Sequence, residues 1–381
     1  MIDSSGTIDG HFIVNSFGWK NYIGTDYYKQ SMNTIRDIDE VNKSVTVESG
    51  CSLSKLQRFV GKSSLFFPLD ISSREDASVG GILASNAGGL SVLRYGSARD
   101  LCFGLEVVLS DGKIWNSLKS LKKDNSGYSL KNLFIGSEGT LGIITAANMC
   151  LYSEVSEFET YFVITKDIKS TIIVYNELQS IVNDNLSAFE FMSSEAVELV
   201  RLYFPDRIPQ FIREFKSMVI SIVELPRANF FEDICLKPYL KKLERSGIIS
   251  EWGGCKGDWA KNLWGLRESI TYASAENGQQ IKNDISLPRS SVSDFLCSVN
   301  KRIIAKYPMV RVINFGHIGD GNLHFNITPL FDNLIQKKEK RKVAHKIFME
   351  KYEEKIRKDI NDLVFEFSGS ISAEHGIGQL R

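Results

Sequence analysis

The sequence has no excess of charge of either sign, and it lacks most features that mark special classes of protein. Its 46 lysines and arginines balance 46 aspartates and glutamates, so it lacks the basic surface expected of a nucleic-acid-binding domain. Its six cysteines lack the spacing of a metal ribbon or redox motif, which indicates reduced thiols in the cytoplasm. No apolar run is long enough to cross a bilayer, and the first residues carry no signal or transit pattern.

The length and composition predict a folded protein of two or three domains. The 381 residues are 43% apolar and 24% charged, as is ordinary for globular proteins. Residues 1–35 carry little pattern, residues 45–152 are rich in glycine and short strands, and residues 153–381 combine strands with longer helical patterns. This contrast predicts an α+β protein with a domain boundary near residue 153. Helices are predicted near 168–182, 193–203, 228–245, 258–276, 290–306 and 334–365.

Histidine is scarce, yet three of the five histidines lie in two short segments. The first, residues 316–324, lies between two runs of β-branched and aromatic residues. An Asp320-Gly321 turn predicts a hairpin in which His317 faces His324, with Cβ atoms roughly 5 Å apart. Two imidazoles at that separation can bind one metal ion, and two unrelated surface histidines are the alternative interpretation.

The second segment, residues 370–378, places Glu374 and His375 among small residues and glycines. Glu374 would complete a set of two histidines and one carboxylate, which permits Zn²⁺, Mn²⁺ or Fe²⁺, with Zn²⁺ as first choice. Neighbouring side chains of an extended segment point to opposite sides, so His375 is predicted to act as an acid or base. His11 and His345 have no such context and are predicted to lie on the surface.

Two glycine-rich segments dominate the first half of the chain. One runs from Pro68 through Gly80-Gly81 to Gly88-Gly89, and the other spans residues 134–145. Paired glycines let backbone N–H groups converge on phosphate oxygens and let a flat ring system lie against the main chain. Neither segment is a dinucleotide fingerprint or a P-loop, and turns in an ordinary α/β domain are the alternative.

In order and spacing these segments resemble the PCMH-type flavin domain of the vanillyl-alcohol oxidase superfamily. Within it the chain is most similar to the family of D-2-hydroxyglutarate dehydrogenase, D-lactate dehydrogenase and the glycolate oxidase flavoprotein subunit. The resemblance implies an FAD-binding domain, mostly its second lobe, followed by an α+β cap domain with an antiparallel sheet and flanking helices. The residues implied to line FAD are Pro68, Ser78, Gly80, Gly81, Asn86, Gly88, Gly89, Glu138, Gly139, Gly142 and Ile144.

The same resemblance assigns roles in the second half. The implied metal ligands are His317, His324 and Glu374, and the implied catalytic base is His375. The implied contacts for substrate carboxylates are Arg267, Thr271, Lys282 and Asn326. Arg267 and Thr271 are four residues apart on a predicted helix, and a guanidinium can pair bidentately with a carboxylate.

The implied reaction is the FAD-dependent, metal-assisted oxidation of a D-2-hydroxy acid to a 2-oxo acid. Hydride would pass to flavin N5, and D-2-hydroxyglutarate, D-lactate and glycolate all stay open as substrates. The implied electron acceptor is an electron-transfer flavoprotein or a quinone, and a homodimer is also open. No nucleic-acid partner and no membrane span are expected.

Two departures from the family pattern concern the ends of the chain. Residues 1–31 offer only isolated glycines where the family has a pyrophosphate-binding loop, and the sequence stops straight after the Glu374-His375 segment. We therefore expect a family member shortened at both ends, with an incomplete first lobe and no closing C-terminal part. A weakly active or inactive remnant is one alternative, and a metal-dependent hydrolase using the same three ligands is another.

Overall fold

A computed structural model describes residues 32–71, 73–155, 157–227, 236–330 and 338–378. The predictions for residues 1–31, including His11, and for the start of the helix near 228 lie outside these residues. The described chain divides into two compact units, one of residues 32–155 with 374–378, and one of residues 157–373. In the described part of the chain, no helix is long and apolar enough to cross a membrane.

The first unit is built on a five-stranded antiparallel sheet with the order β1-β2-β6-β4-β5. A separate two-stranded sheet joins β3 and β7. The strands are β1 Ile35–Asp39, β2 Ser44–Glu48, β3 Leu65–Phe66, β4 Cys102–Val108, β5 Ile114–Ser117, β6 Ile143–Cys150 and β7 Tyr152–Ser153. The helices are α1 Leu53–Val60, α2 Val79–Ala84, α3 Val92–Tyr95 and α4 Lys131–Phe134, with a 3-10 turn at Gly61–Ser63.

Helices α1 and α2 begin where serine side chains cap them. The Ser52 hydroxyl accepts a hydrogen bond from the Lys55 N–H, and the Ser78 hydroxyl accepts one from the Gly81 N–H. Each cap satisfies a backbone donor that the first turn of a helix leaves unpaired. Both helices then bury apolar side chains in one core with those of β2, β4 and β6.

The second unit is built on a seven-stranded sheet with the order β11-β8-β10-β9-β13-β14-β12. Its strands are β8 Glu157–Thr165, β9 Ala188–Met192, β10 Val219–Arg227, β11 Glu251–Cys255, β12 Asp284–Ser286, β13 Val310–Gly316 and β14 Asn322–Pro329. Its helices are α5 Ile168–Val182, α6 Ser194–Tyr203, α7 Lys237–Arg245, α8 Asp258–Asn277, α9 Arg289–Lys306 and α10 Lys338–Glu366. Short 3-10 turns lie at Asn183–Asn185, Pro205–Arg207 and Gln210–Ile212.

Helices cover this sheet because each buries a stripe of side chains. In α8 the buried Leu263, Leu266, Ile270 and Ala273 follow at intervals of three and four residues, and they share a core with α6 and β13. Helix α9 lies against β14, where the rings of Phe295 and Phe325 are 5.9 Å apart.

Two predictions about histidine environments are wrong. His345 is fully buried, and its Nδ1 lies 2.8 Å from the Gln279 carbonyl oxygen. The backbone at Gly278 covers the His345 ring, and it comes so close that a Cβ at Gly278 would lie 2.8 Å from ring atoms of His345.

The register predicted for the hairpin is also wrong. His324 pairs with Phe315, and five residues, from His317 to Gly321, connect the strands. Only Gly321 of the predicted Asp320-Gly321 pair has a positive φ, at 83°. Both Asp320 and Asn322 donate their N–H groups to the His317 carbonyl oxygen, so the turn closes on His317.

Candidate active site

Residues from four neighbouring strands form a row across one face of the large sheet, and three of these strands contribute a polar side chain. Asp284, His324, Phe315 and Met192 are successive cross-strand partners, and Glu190 lies two residues before Met192. Side chains two residues apart on a strand, and those directly opposite across strands, share a face. That face is the one covered by α8, because Met192 and Phe315 contribute to its core.

His317 and His324 lie side by side although they are not cross-strand partners. Their ring centroids are 5.5 Å apart, and the ring planes meet at 74°. His317 is 7% exposed, and His324 is partly buried. The two imidazoles therefore lie close together as expected, although they are not the cross-strand partners that the sequence predicted, and their binding of one metal ion stays a prediction.

Each of these histidines has a carboxylate beside its Nδ1 atom. The His317 Nδ1 is 2.5 Å from Glu190 Oε1, and the His324 Nδ1 is 3.6 Å from Asp284 Oδ1. Histidines that bind metals commonly direct one ring nitrogen at a carboxylate, which orients the other towards the ion. This arrangement makes Nε2 the candidate ligand atom of both rings.

Glu190 and Asp284 are candidate functional residues to which the sequence reasoning assigned no role. Both are almost fully buried, at 1% and 2% exposure. Glu190 lies in the all-buried strand Ala188–Met192, where a carboxylate between two phenylalanines is a visible sign of a buried charge. Nothing in the sequence shows which residues it contacts.

Arg267 is buried and shares the Glu190 carboxylate with His317. Its Nε lies 2.8 Å from Glu190 Oε2, and its guanidinium lies 4.6 Å above the Phe315 ring. Burial raises the pKa of the Glu190 carboxyl, but His317 and Arg267 outweigh burial and hold that pKa at about 2. Glu190 is therefore ionised at neutral pH.

The other residues implied to contact substrate lie in differing environments. Asn326 is buried on β14, two residues beyond His324 and on the same face. Lys282 is exposed. Because Ile281 pairs with Ile327 on β14, Lys282 lies close to the position opposite Asn326. Thr271 is exposed, unlike Arg267, so the two residues do not share a buried face. Their substrate roles remain predictions.

The chain approaches the Glu374-His375 segment along the edge of the large sheet. Ser370 forms a bridge with Ser286, and the Ala373 N–H donates to the Asp284 carbonyl oxygen at 3.0 Å. Ala373 is thus fixed to the residue whose cross-strand partner is His324. Glu374, the next residue, is half-buried, and His375 is exposed.

In the first unit, the two glycine-rich segments lie against each other. The N–H groups of Gly136 and Glu138 donate to the Leu83 and Ala84 carbonyl oxygens at 3.0 and 2.9 Å. These carbonyls belong to the last two residues of α2, and three residues separate Ala84 from the Gly88-Gly89 pair. The structure thus brings together the two segments predicted to line a cofactor.

The backbone donors of these segments divide into two groups. Gly80 donates its N–H to the Ser49 carbonyl oxygen and Gly81 donates its N–H to the Ser78 hydroxyl, so both N–H groups have acceptors within the fold. Within the described residues, the N–H groups of Gly88, Gly89 and Gly139 donate no hydrogen bond. Gly88 and Gly89 are buried, and buried N–H groups are rarely left unpaired. The N–H groups of Gly88 and Gly89 are therefore candidates for a contact with a ligand, and that of Gly139 is a further candidate on the facing segment.

Several other implied cofactor contacts hold the unit itself together. The Asn86 Oδ1 accepts hydrogen bonds from the Ser97 hydroxyl and the Arg99 N–H, both at 3.0 Å. The Glu138 carboxylate accepts the N–H groups of Ile377 and Gly378 at 2.8 and 2.9 Å, which fixes the backbone just after His375.

The remaining implied contacts are packed against their own unit. A Cβ at Gly142 would lie 2.8 Å from Val107 Cγ1. Pro68 and Ile144 are buried. Contact of all these residues with FAD remains a prediction.

Comparison with known families gives this arrangement its context. Residues 173–381 match the C-terminal domain of FAD linked oxidases, and residues 28–117 match the FAD binding domain. The chain belongs to the FAD-linked oxidase family. The family resemblance of the two halves of the sequence is thereby confirmed.

Curated relatives place the chain within this family more closely. It is 34% identical to the mitochondrial D-2-hydroxyglutarate dehydrogenase of Bos taurus, over 91% of this chain and 60% of that protein. It is 32% identical to the D-2-hydroxyglutarate–pyruvate transhydrogenase of Saccharomyces cerevisiae, over 92% of this chain and 68% of that protein. The chain spans about 60% of the length of the first of these. Because that relative is named mitochondrial, a cytoplasmic location stays a prediction.

Solved structures confirm the predicted fold class. An alkyldihydroxyacetonephosphate synthase matches with a TM-score of 0.63 and 17% identity, over 90% of this chain and 62% of that chain. A p-cresol methylhydroxylase matches with a TM-score of 0.64 and 15% identity, over 89% and 70%. At such low identities the likeness shows the fold alone, which is of the vanillyl-alcohol oxidase type.

Proposed function

We propose that the protein oxidises a D-2-hydroxy acid to the 2-oxo acid with FAD and a divalent metal ion. The observation that carries this proposal is the His317–His324 pair, in which each Nδ1 faces a buried carboxylate. The chain is an FAD-linked oxidase, and its relatives are named for D-2-hydroxyglutarate. A 2-hydroxy acid can chelate a metal ion through its hydroxyl and carboxylate oxygens, so a metal-binding site on the second domain suits this class of substrate.

The first unit fits FAD through its free backbone donors. The N–H groups of Gly88, Gly89 and Gly139, with no acceptor within the described residues, suit the pyrophosphate or the polar edge of the flavin ring. Gly88 and Gly89 lack side chains, so a flat ring can approach them closely. We assign the cofactor contact to these three positions before the other implied ones.

The second unit fits a divalent metal ion through the two histidines. Neutral imidazole nitrogens suit Zn²⁺, Mn²⁺ and Fe²⁺, and a carboxylate would complete a facial set with open positions. We propose Glu374 as that carboxylate, because it is joined by one peptide bond to Ala373, which Asp284 holds. Consecutive Cα atoms are about 3.8 Å apart, so Glu374 begins close to the strand that carries His324.

The proposed chemistry assigns a role to each of these side chains. When bound, FAD supplies a hydride acceptor and the metal supplies a Lewis acid that lowers the pKa of the substrate hydroxyl. His375 takes the hydroxyl proton on an imidazole nitrogen while the Cα hydride leaves. Arg267 holds a substrate carboxylate, because within the described residues it donates only through Nε, to Glu190. Its two Nη atoms can then bind a carboxylate in the bidentate manner.

The alternatives are weaker on physical grounds. A metal-dependent hydrolase would use the same histidines but would leave the free donors of Gly88, Gly89 and Gly139 without a purpose. We carry the substrate class over from the named relatives, and D-2-hydroxyglutarate is the first choice because Arg267 and Lys282 offer two cations. The electron acceptor and a homodimer stay predictions from the resemblance.

One experiment tests the function as a whole. Purified protein should show the absorbance of bound flavin, contain a stoichiometric divalent metal and bleach anaerobically with D-2-hydroxyglutarate, D-lactate or glycolate. L-2-hydroxyglutarate serves as the control and should leave the flavin oxidised. Protein that binds flavin and metal but is bleached by none of the acids would contradict the proposed reaction. Protein reconstituted with FAD that shows no bound flavin would contradict the cofactor.

A Gly88→Ala variant is expected to weaken metal binding while keeping the fold. The new Cβ would lie 2.8 Å from Glu374 Oε1 and 3.3 Å from Val92 Cγ2, both on side chains that can shift. Moving the carboxylate from its place should lower metal affinity at least roughly tenfold, since it removes one of three ligands. Calorimetric titration of metal-free protein with Zn²⁺ measures this affinity.

The matched control is Gly127→Ala, because a Cβ at Gly127 would meet no atom within 4 Å. We expect its metal affinity to equal that of the parent. An unchanged affinity in the Gly88→Ala protein would argue against Glu374 as a ligand.

A further inference from the structure

One buried carboxylate contacts both a proposed metal ligand and a proposed substrate-binding residue. Glu190 Oε1 lies 2.5 Å from His317 Nδ1, and Glu190 Oε2 lies 2.8 Å from Arg267 Nε. Its side chain is 1% exposed, and those of His317 and Arg267 are 9% and 10% exposed. The three side chains therefore interact in a medium where electrostatic interactions are strong.

We propose that Glu190 is a positioning residue that holds His317 in the Nδ1–H tautomer and orients Arg267 through the same carboxylate. This inference rests on the proposed function, in which His317 binds the metal and Arg267 binds the substrate. It goes further by coupling the two sites through one side chain. The metal ligand and the substrate contact would then keep a fixed geometry relative to each other.

The tautomer follows from the chemistry of the acceptor. Glu190 is placed as an acceptor for both partners: Oε2 accepts from Arg267 Nε, and Oε1 lies 2.5 Å from His317 Nδ1, which is placed to donate to it. A neutral imidazole has one N–H, so Nε2 of His317 then carries a lone pair. A lone pair on Nε2 is what a metal ion requires.

The orientation of Arg267 follows from the shape of the guanidinium. Its Nε edge is held by Glu190, and its face lies over the Phe315 ring at 4.6 Å. With one edge and one face fixed, the planar group has little freedom to turn. The terminal Nη atoms then point in one direction, which favours recognition of a carboxylate by geometry as well as by charge.

The alternative is that Glu190 serves only to neutralise Arg267 within the core. In that case the tautomer of the His317 ring would not change when Glu190 is removed, as long as the protein stays folded. Histidine tautomers separate the two cases, since ring ¹⁵N shifts differ strongly between protonated and unprotonated nitrogens. This readout needs neither metal nor substrate.

The experiment compares ¹⁵N-histidine spectra of metal-free parent, Glu190→Ala and Glu190→Gln proteins at neutral pH. A His317→Gln protein assigns the resonances. We expect His317 of the parent to be the Nδ1–H tautomer and that of Glu190→Ala to change towards Nε2–H. A parent ring that is Nε2–H or doubly protonated, or a tautomer that survives the loss of Glu190, would overturn the proposal.

Two further variants separate positioning from general damage to the fold. Glu224→Gln is the matched control, because its carboxylate lies on the same sheet and accepts hydrogen bonds from Thr160 and Trp264. It should leave the His317 tautomer unchanged. In Glu190→Gln the amide cannot accept from both partners, so one hydrogen bond is lost. Removing the competing donor in a Glu190→Gln, Arg267→Met protein should restore the Nδ1–H tautomer.

Metal titration of the same proteins distinguishes failure of this inference from failure of the proposed function. The parent protein tests the proposed function, because the metal assignment fails if the parent binds no Zn²⁺. In that case the ¹⁵N spectra of His317 still decide whether Glu190 is a positioning residue. If the parent binds Zn²⁺, Glu190→Ala should bind it roughly 10–100-fold more weakly, the usual loss for a residue that orients a ligand. Equal affinities would count against Glu190 as a positioning residue.

Discussion

A His375→Ala protein is expected to keep its flavin and metal and to lose roughly 10²–10⁴-fold in the rate of flavin reduction by a D-2-hydroxy acid. That range is the usual contribution of a positioned general base. Because His375 is exposed, its replacement by alanine should leave stability almost unchanged. Anaerobic stopped-flow reduction with D-2-hydroxyglutarate measures the rate directly.

The backbone that follows His375 is held within the first unit. The N–H groups of Ile377 and Gly378 donate to the Glu138 carboxylate. A side chain on a segment held in this way can meet a substrate proton reproducibly, which general base catalysis requires.

The matched control for His375→Ala is Ile377→Ala. Ile377 is exposed and lies on the same segment, but its contact with Glu138 is made by the backbone N–H and survives truncation of the side chain. We expect the Ile377→Ala protein to reduce its flavin at nearly the parent rate. If His375→Ala matched the parent as well, the proton acceptor would have to be another group.

The sequence predicted the histidine pair but not the way in which the fold produces it. The expected hairpin rested on the tendency of Asp-Gly to form two-residue turns. In the structure β13 ends at Gly316, whose φ of 143° turns the chain, and the His317 carbonyl closes a longer loop. This loop packs closely against the backbone at Leu287: a Cβ at Gly321 would lie 2.2 Å from the Leu287 carbonyl oxygen. Such a contact between distant parts of the chain cannot be predicted from the local Asp-Gly sequence.

Helices were easier to predict because their signal is local. The helix predicted at 168–182 begins and ends at those residues, with Asp167 accepting the Ser170 N–H as its cap. Glu190 could not be predicted in the same way. Its partners Arg267 and His317 lie 77 and 127 residues away, and only strand order brings them together. Long-range ion pairs of this kind leave no periodic pattern in a sequence.

The carboxylates beside the histidines illustrate the same limit for function. The family resemblance implied the candidate ligands, whereas the carboxylates beside them, Glu190 and Asp284, are evident only in the structure. Asp284 occupies this position because β12 pairs with β14 in the register that sets it opposite His324. One residue of slippage would turn its side chain to the other face of the sheet.

A Gly89→Ala protein is expected to lose flavin binding and a substantial part of its stability. Gly89 has a φ of 132°, and an added Cβ would lie 2.1 Å from the Asp70 carbonyl oxygen, which is backbone and cannot rotate away. Strain of this kind costs on the order of 2 kcal/mol or more. The loop that must move carries the unpaired N–H groups of Gly88 and Gly89, so the proposed cofactor contact is lost with it.

Thermal unfolding of the first unit and the flavin content of purified protein check this prediction together. Gly61→Ala is the control: Gly61 lies in the same unit with a φ of −61°, and a Cβ there would meet no atom within 4 Å. It should unfold at the parent temperature or slightly above, because alanine reduces the freedom of the unfolded chain. If the Gly89→Ala protein had the parent's flavin content and unfolding temperature, the backbone at Asp70 would be able to move away from the new Cβ at little cost. The prediction would then be wrong.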